Sequence, residues 1–272
     1  MGVNFNNIPR YIKREIDPPD KLITQGKKGA FPLRIQEWLH YHDHSTAIDA
    51  DFGPATATQI KAFQKKRGIR STGSVNKITW DALVAPMAKA LAQPSIGERD
   101  TASRTVEKVA HQHLAQTPIE IGGANKGPWV RLYCGGEDGS QWAWCAGFVS
   151  LILQQSYFYR GARPPVEGSV SCDILKTQAD QAGLFVGGND AVSGMKPLPS
   201  RRRAAIFLRR KSDNDWDHTG FVVKSEKSSQ DRVLHTIEGN TNNAGSREGI
   251  KAMRRTRTLF ATKRNYDFIY LD

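Results

Sequence analysis

Apolar positions recur at helical spacing in three early stretches. Leu33, Ile35, Trp38 and Leu39 follow Pro32, a residue suited to a first helical turn, and predict a helix there. Ala57, Ile60, Ala62 and Phe63 predict a second over 55–67, closed by Gly68 as a left-handed cap. Past the turn Thr72-Gly73-Ser74-Val75, a third is predicted over 76–83 around Trp80. Residues 1–30 are polar and punctuated by Asp17-Pro18-Pro19-Asp20 and Gln25-Gly26-Lys27-Lys28-Gly29, which predicts an irregular lead-in without its own core. Residues 86–98, with Pro86, Pro94 and Gly97, read as a linker or as the tail of the third helix. The next helix is expected to open with Asp100 as N-cap and to run through Val106, Val109, Ala110 and Leu114 towards Pro118.

The pattern then changes. A Gly-rich polar run, 134–140, precedes the apolar segment Phe148-Val149-Ser150-Leu151-Ile152-Leu153, whose spacing suits a buried helix with Cys145 at its N-terminus. Short β-rich runs follow at 204–208, 219–223, 233–238 and 268–271, separated by turns such as Asp213-Asn214-Asp215 and Lys227-Ser228-Ser229. Helix first and then a meandering antiparallel sheet predicts an α+β fold. The 272 residues suit two domains at ~150 residues each. The boundaries read as a lead-in at 1–30, a three-helix bundle at 31–88, a linker at 89–99 and an α+β domain at 100–272.

Composition narrows the classes. No window approaches the ~18 uninterrupted apolar residues that span a bilayer, and the first residues lack a secretory signal, so synthesis in the cytoplasm is expected. The net charge of +12, with clusters at Lys65-Lys66-Arg67, Arg201-Arg202-Arg203, Arg209-Arg210-Lys211 and Arg254-Arg255, favours a polyanionic partner. No aromatic residues interleave the clusters and no nucleic-acid motif accompanies them, which argues against specific nucleic-acid binding. Three cysteines, Cys134, Cys145 and Cys172, form no Cys-x-x-Cys pair, so neither a disulfide framework nor a structural metal is expected, although a Cys134 to Cys172 bridge stays open. His40, His42 and His44 could ligate a metal at alternate positions. A solvated loop is the expectation, with no metal and no cofactor.

The candidate chemistry centres on Cys145. Unpaired N–H groups at a helix start stabilise a thiolate, and a cysteine nucleophile needs a base and a group to orient that base. The bland alternative is a small buried apolar residue. His218 opens one predicted strand, while Glu238 and Asn240 stand where the next one ends. Antiparallel pairing of the two would bring them to one sheet edge. Trp142, Trp144 and Trp216 flank the reactive positions and are candidate cleft-lining, substrate-binding residues. His235, His111 and His113 read as packing or surface residues, and Cys134 and Cys172 as doing no chemistry.

Two family resemblances sharpen this reading. The pieces Asp51-Phe52-Gly53-Pro54-Ala55-Thr56, Ala62-Phe63-Gln64-Lys65, Thr72-Gly73-Ser74-Val75 and Thr79-Trp80-Asp81-Ala82-Leu83 resemble the type 1 peptidoglycan-binding domain, which implies a noncatalytic wall-anchoring bundle over about 32–86. Trp144-Cys145-Ala146 with Phe148-Val149-Ser150, then Asp217-His218-Thr219-Gly220-Phe221, then Ile237-Glu238-Gly239-Asn240, resemble in order the three blocks of the CHAP family of cysteine, histidine-dependent amidohydrolases/peptidases. Asp217 departs from the glycine common there. This second resemblance implies a papain-like domain with Cys145 as nucleophile, His218 as general base, Glu238 as ring-orienting acid and Asn240 as a further polar group. The implied function is a monomeric peptidoglycan hydrolase, foremost an N-acetylmuramoyl-L-alanine amidase. The alternatives are an endopeptidase of the same mechanism or an inactive wall-binding protein. Action at the wall or periplasm would follow holin-type release, as for phage endolysins, or type VI export, with an immunity protein as partner in the second case.

Overall fold

The computed structural model describes residues 8–193, 198–199, 204–227, 232–242, 249–259 and 265–271. The Arg201 to Arg203 cluster and most of the turn expected at 227–229 lie outside them. The helices are α1 (Arg10–Ile16), α2 (Ala30–Tyr41), α3 (Pro54–Lys66), α4 (Lys77–Leu91), α5 (Ala102–Leu114), α6 (Pro128–Tyr133), α7 (Cys145–Phe158), α8 (Cys172–Gln181) and α9 (Gly188–Ser193). The strands are β1 (Phe185–Val186), β2 (Ala205–Ser212), β3 (Asp215–Lys227), β4 (Arg232–Thr241), β5 (Lys251–Thr258) and β6 (Tyr266–Tyr270). They form one antiparallel sheet in the order β1-β6-β2-β3-β4-β5. The fold is α+β, as the pattern predicts. Among the described residues no helix is long and apolar enough to cross a membrane.

The three-helix unit forms where its spacing places it. Pro54 opens α3, Gly68 closes it at φ +67°, and the Asn76 side chain accepts the Thr79 N–H at the start of α4. Two buried glutamines clamp the connecting loops. Gln36 accepts the N–H groups of Asp49 and Ala50 and donates to Asp51 O, while Gln64 accepts those of Thr72 and Gly73 and donates to Ser74 O. Each carboxamide replaces the partners a loop backbone would otherwise seek in water.

Two boundaries depart from expectation, and one that the sequence leaves open, the end of the third helix, is resolved. The lead-in contains α1, whose seven residues are too short to hold as a helix alone. It persists because Ile12 is fully buried and Glu15 is ion-paired inside the protein. Helix α4 continues past Leu83 through Pro86 to Leu91. A proline inside a helix costs about 3 kcal/mol. Burying Met87 and Leu91 beyond it offsets that at roughly 1.5–3 kcal/mol per side chain. Helix α5 is capped by Thr101, which accepts the Arg104 N–H at 3.1 Å, while the Asp100 carboxylate pairs with Lys108 instead.

The expected linker is tied down. Gln112 donates to the carbonyls of Lys89, Ala90 and Ala92, and Gln155 also donates to Ala90 O. One hydrophobic cluster then runs from Ile12, Trp38 and Trp80 through Trp129 to Trp144, Phe148, Ile206 and Ile269. A smaller cluster, with Phe207, Val222, Leu234 and Phe268, holds other sheet residues. At the junction Arg131 on α6 donates to both oxygens of Glu15 on α1 and of Glu37 on α2, and to Asp138. All but Asp138 in this network are buried.

Removing the cation would leave two carboxylates buried side by side. Arg131→Ala should therefore cost about 3–5 kcal/mol of stability, read as a lower urea midpoint. Wild type should unfold in a single transition because the two halves share a core.

Candidate active site

Cys145 is the first residue of α7, and no side chain caps that end. The sequence forces a close seat for it. Gly147 lies against α6, where a Cβ would meet the Tyr133 carbonyl oxygen at 2.2 Å, so only glycine fits. Trp144 is fully buried, stacks on Tyr133 with ring centroids 5.4 Å apart, and donates its Nε1–H to Glu120. The nucleophile candidate thus stands on a rigid floor.

His218 comes from β3 and Glu238 from β4, which pair antiparallel with Phe221 opposite Ile237. Gly220, two residues along β3 from His218, lies against Glu238: a Cβ there would be 2.6 Å from Glu238 Cγ, so glycine leaves room for the carboxylate side chain. His218 Nε2 and Glu238 Oε2 are 2.9 Å apart with both side chains fully buried. Glu238 also accepts from Thr236 Oγ1 at 2.5 Å and from Arg257 Nε at 2.9 Å and Nη2 at 2.5 Å. Burial alone would push its carboxyl up. The hydrogen bonds from His218 and Arg257 outweigh that and bring it down to about 2.

The remaining ring nitrogen, His218 Nδ1, is buried with no hydrogen-bond partner among the described residues, and the charged ring and the Cys145 thiol interact electrostatically. The Cys145 thiol is drawn well below its ordinary range. The largest cause is a hydrogen bond from the Cys172 thiol; burial opposes it, and His218 and the Ala146 N–H add to it. Cys172, the first residue of α8, bears the counterpart and is pushed well up. Burial disfavours the imidazolium of His218, yet Cys145 and Glu238 together raise it above its usual value. Both shifts favour charge separation between the Cys145 thiol and the His218 ring, with the Glu238 carboxylate on the ring's Nε2.

Asn240 is fully buried at φ +50°, and among the described residues neither amide atom has a hydrogen-bond partner. Glu238, and not Asn240, holds the ring. Asp217, beside the histidine, is committed to Arg209 at 2.7 Å.

Residues 29–83 match a peptidoglycan-binding family. It is PG_binding_1, described as "Putative peptidoglycan binding domain", and the match runs from Gly29 into α4. No curated protein matches the chain. Among solved structures, the Burkholderia AP3 phage endolysin is similar at 23% identity over 40% of this chain and 41% of that chain, with a TM-score of 0.24. The chain thus spans less than half of that endolysin's length, and at this TM-score the two folds are not shown to correspond.

The segment similar to that family connects to the residue before Cys145 through a run of aromatic contacts. Trp38 on α2 meets Trp129 edge-on at 6.1 Å, Trp129 stacks on Tyr133 at 6.2 Å, and Tyr133 stacks on Trp144. This changes the reading of the tryptophans. Trp144 has no accessible face for a substrate, and Trp216 is buried with its Nε1–H on Asp267. Only Trp142 of the three lines an open cavity. That cavity, of about 620 Å³, runs along α7 past Gly147, Ser150 and Leu151, with the exposed Val170 and Ile174 on its far rim.

Other expectations resolve locally. All three cysteines are free, so the Cys134 to Cys172 bridge is not formed, and burial pushes Cys134 up to about 12. His42 is buried in the bundle core, where its Nε2 donates to Leu83 O and its Nδ1 accepts from Arg67, in place of a solvated loop. Among the described residues no cluster of His, Cys, Asp or Glu is arranged to hold a metal. His113 is fully buried between Tyr133 and Gln155, and burial brings it down to about 4.

The sequence reading missed Arg257, Thr236, Gly220 and the role of Cys172. Arg257 lies in a basic alternating run that looks like a solvated face, and a lone thiol carries no local sign of a distant partner.

The Cys172 contact is testable. Cys172→Ala removes the donor and should raise the pH at which iodoacetamide alkylates Cys145 by about one unit. Cys172→Ser keeps a hydroxyl donor and should retain most of the wild-type profile.

Proposed function

We propose that this cell-wall-acting protein is a cysteine-dependent peptidoglycan hydrolase of the CHAP type that cuts an amide bond of the stem peptide, foremost the bond between the muramoyl lactyl group and L-alanine. The observation that carries the reading is a thiol at a helix start, drawn well below its ordinary range by a hydrogen bond from Cys172 and by the histidine, whose Nε2 lies 2.9 Å from a buried carboxylate. The match of residues 29–83 to a peptidoglycan-binding family supplies the substrate class.

The chemistry follows from the positions. Cys145 thiolate attacks the amide carbonyl carbon, and the free N–H groups of the first turn of α7 stabilise the oxyanion. His218 gives its proton to the departing amine as the C–N bond breaks, leaving a thioester. Water, deprotonated by His218, then attacks the thioester carbonyl, releasing the carboxylate product and restoring the thiolate and imidazolium. Glu238 keeps the ring oriented and favours its charged form. The Trp142 cavity beside α7 accepts the part of the stem next to the scissile bond. A net charge of +12 draws the protein towards polyanionic wall polymers. Release through a holin or contact-dependent export would bring it there, an immunity protein being the partner in the second case.

Purified sacculi test the reading. Wild type should release soluble fragments, and Cys145→Ala should lose at least ~10³-fold in rate while still co-sedimenting with sacculi. Mass spectrometry names the bond: free lactyl carboxyls with new L-alanine amino ends mark the amidase, and stem peptides cut internally mark an endopeptidase using the same residues. Undiminished hydrolysis by the Cys145 variant would sink the proposal.

A further inference from the structure

Arg257 lies on β5, two strands from His218, and its side chain is buried against the triad. Its Nε donates to Glu238 Oε1 and its Nη2 to Glu238 Oε2, so the guanidinium grips the carboxylate side-on with two parallel bonds. Thr236 occupies a further site on Oε1, which leaves the open direction of Oε2 to His218 Nε2. A carboxylate offers roughly four lone-pair sites, and all are assigned here. The guanidinium is itself seated, 5.8 Å above the Phe207 ring, and that ring also packs against His218 at 6.0 Å.

We propose that Arg257 is the positioning residue of this site: its fork fixes the Glu238 carboxylate in the charged form and in the rotation that presents Oε2 to the histidine. The inference rests on the Cys145, His218 and Glu238 reading above. Without Arg257 a fully buried carboxylate would keep only a hydroxyl and an imidazole. Protonation then becomes the cheaper state, because an uncompensated buried charge is costly. A neutral Glu238 no longer supports the imidazolium, and an unsupported imidazolium no longer supports the thiolate. Loss of Arg257 should therefore act at Cys145 through two intermediaries, without any contact of its own with the sulfur.

The other titratable groups around the chain of contacts are Cys172 and Asp173 on α8, Cys134 after α6, Asp217 on β3 and Tyr266 beside Arg257. None of them bonds the Glu238 carboxylate, so none replaces Arg257.

The test is the pH dependence of Cys145 alkylation by iodoacetamide, followed by mass spectrometry, with circular dichroism checking that each variant is folded. This readout needs no substrate. Arg257→Met keeps the stem over Phe207 and removes the charge. The acid limb should move up by about one pH unit, a tenfold slower reaction at pH values on that limb. Arg257→Lys, which keeps the charge and loses the fork, should move it part of the way. Glu238→Gln should move it as far as Arg257→Met, and the double variant no further. A folded Arg257→Met with the wild-type limb would overturn the inference, and if that variant does not fold, an unmoved limb in Arg257→Lys does so. Should Glu238→Gln also leave the limb in place, the triad reading itself fails. A limb moved by Glu238→Gln and unmoved by the Arg257 variants overturns the role of Arg257 alone.

Discussion

Glu238 is a carboxylate with no access to water, and the site exists because that charge is compensated. Transfer of an isolated carboxylate to an apolar interior costs far more than the net stability of a domain, so an unpartnered Glu238 would be neutral. Three neighbouring strands supply the compensation. His218 arrives from β3, Thr236 from β4 itself and Arg257 from β5. The sheet order β3-β4-β5 is thus also the order of the strands that supply the carboxylate and its partners. Gly220 leaves room for the carboxylate side chain, and the start of α7 delivers the thiol. The reactive geometry depends on the register of β3 against β4, since a shift of one residue would turn Glu238 to the other face.

A second buried charge joins the halves of the molecule. Arg131 is shared by α1, α2 and α6, and next to it the ring stack passes from Trp38 through Trp129 and Tyr133 to Trp144, one residue before Cys145. A segment similar to a peptidoglycan-binding family is therefore packed against the floor of the reactive site. A flexible tether sets only an effective concentration, falling with linker length. A shared core sets a direction as well, so a polymer bound by the first half would approach Cys145 at a fixed angle.

Much of this was legible in the sequence because it is local. The 3.6-residue spacing of Leu33 to Leu39 and Ile60 to Phe63 and the Gly68 terminator each act within a few residues. The meeting of His218 and Glu238 followed from strand order alone, since neighbouring antiparallel strands bring one end beside the other's start. What escaped is non-local or masked by composition. Helix α1 is too short to show a period and is held by partners more than a hundred residues away. Strand β5 reads as a basic surface, yet Arg257 is buried because Glu238 draws it in. Cys172 showed nothing in its own neighbourhood, for its partner is Cys145. Trp144 sits beside the nucleophile in sequence and is nonetheless core, because helix packing turns its ring towards Tyr133.

The central claim is that hydrolysis of the wall passes through the sulfur of Cys145. Titrating the wild-type protein with substoichiometric iodoacetamide near neutral pH, and measuring both the alkylated fraction at each cysteine and the rate of fragment release from sacculi, tests it most directly. Cys145 should react before Cys134 and Cys172, whose thiols are pushed up, and the rate should fall in proportion to its alkylation. Hydrolysis that persists once Cys145 is fully alkylated would contradict the account.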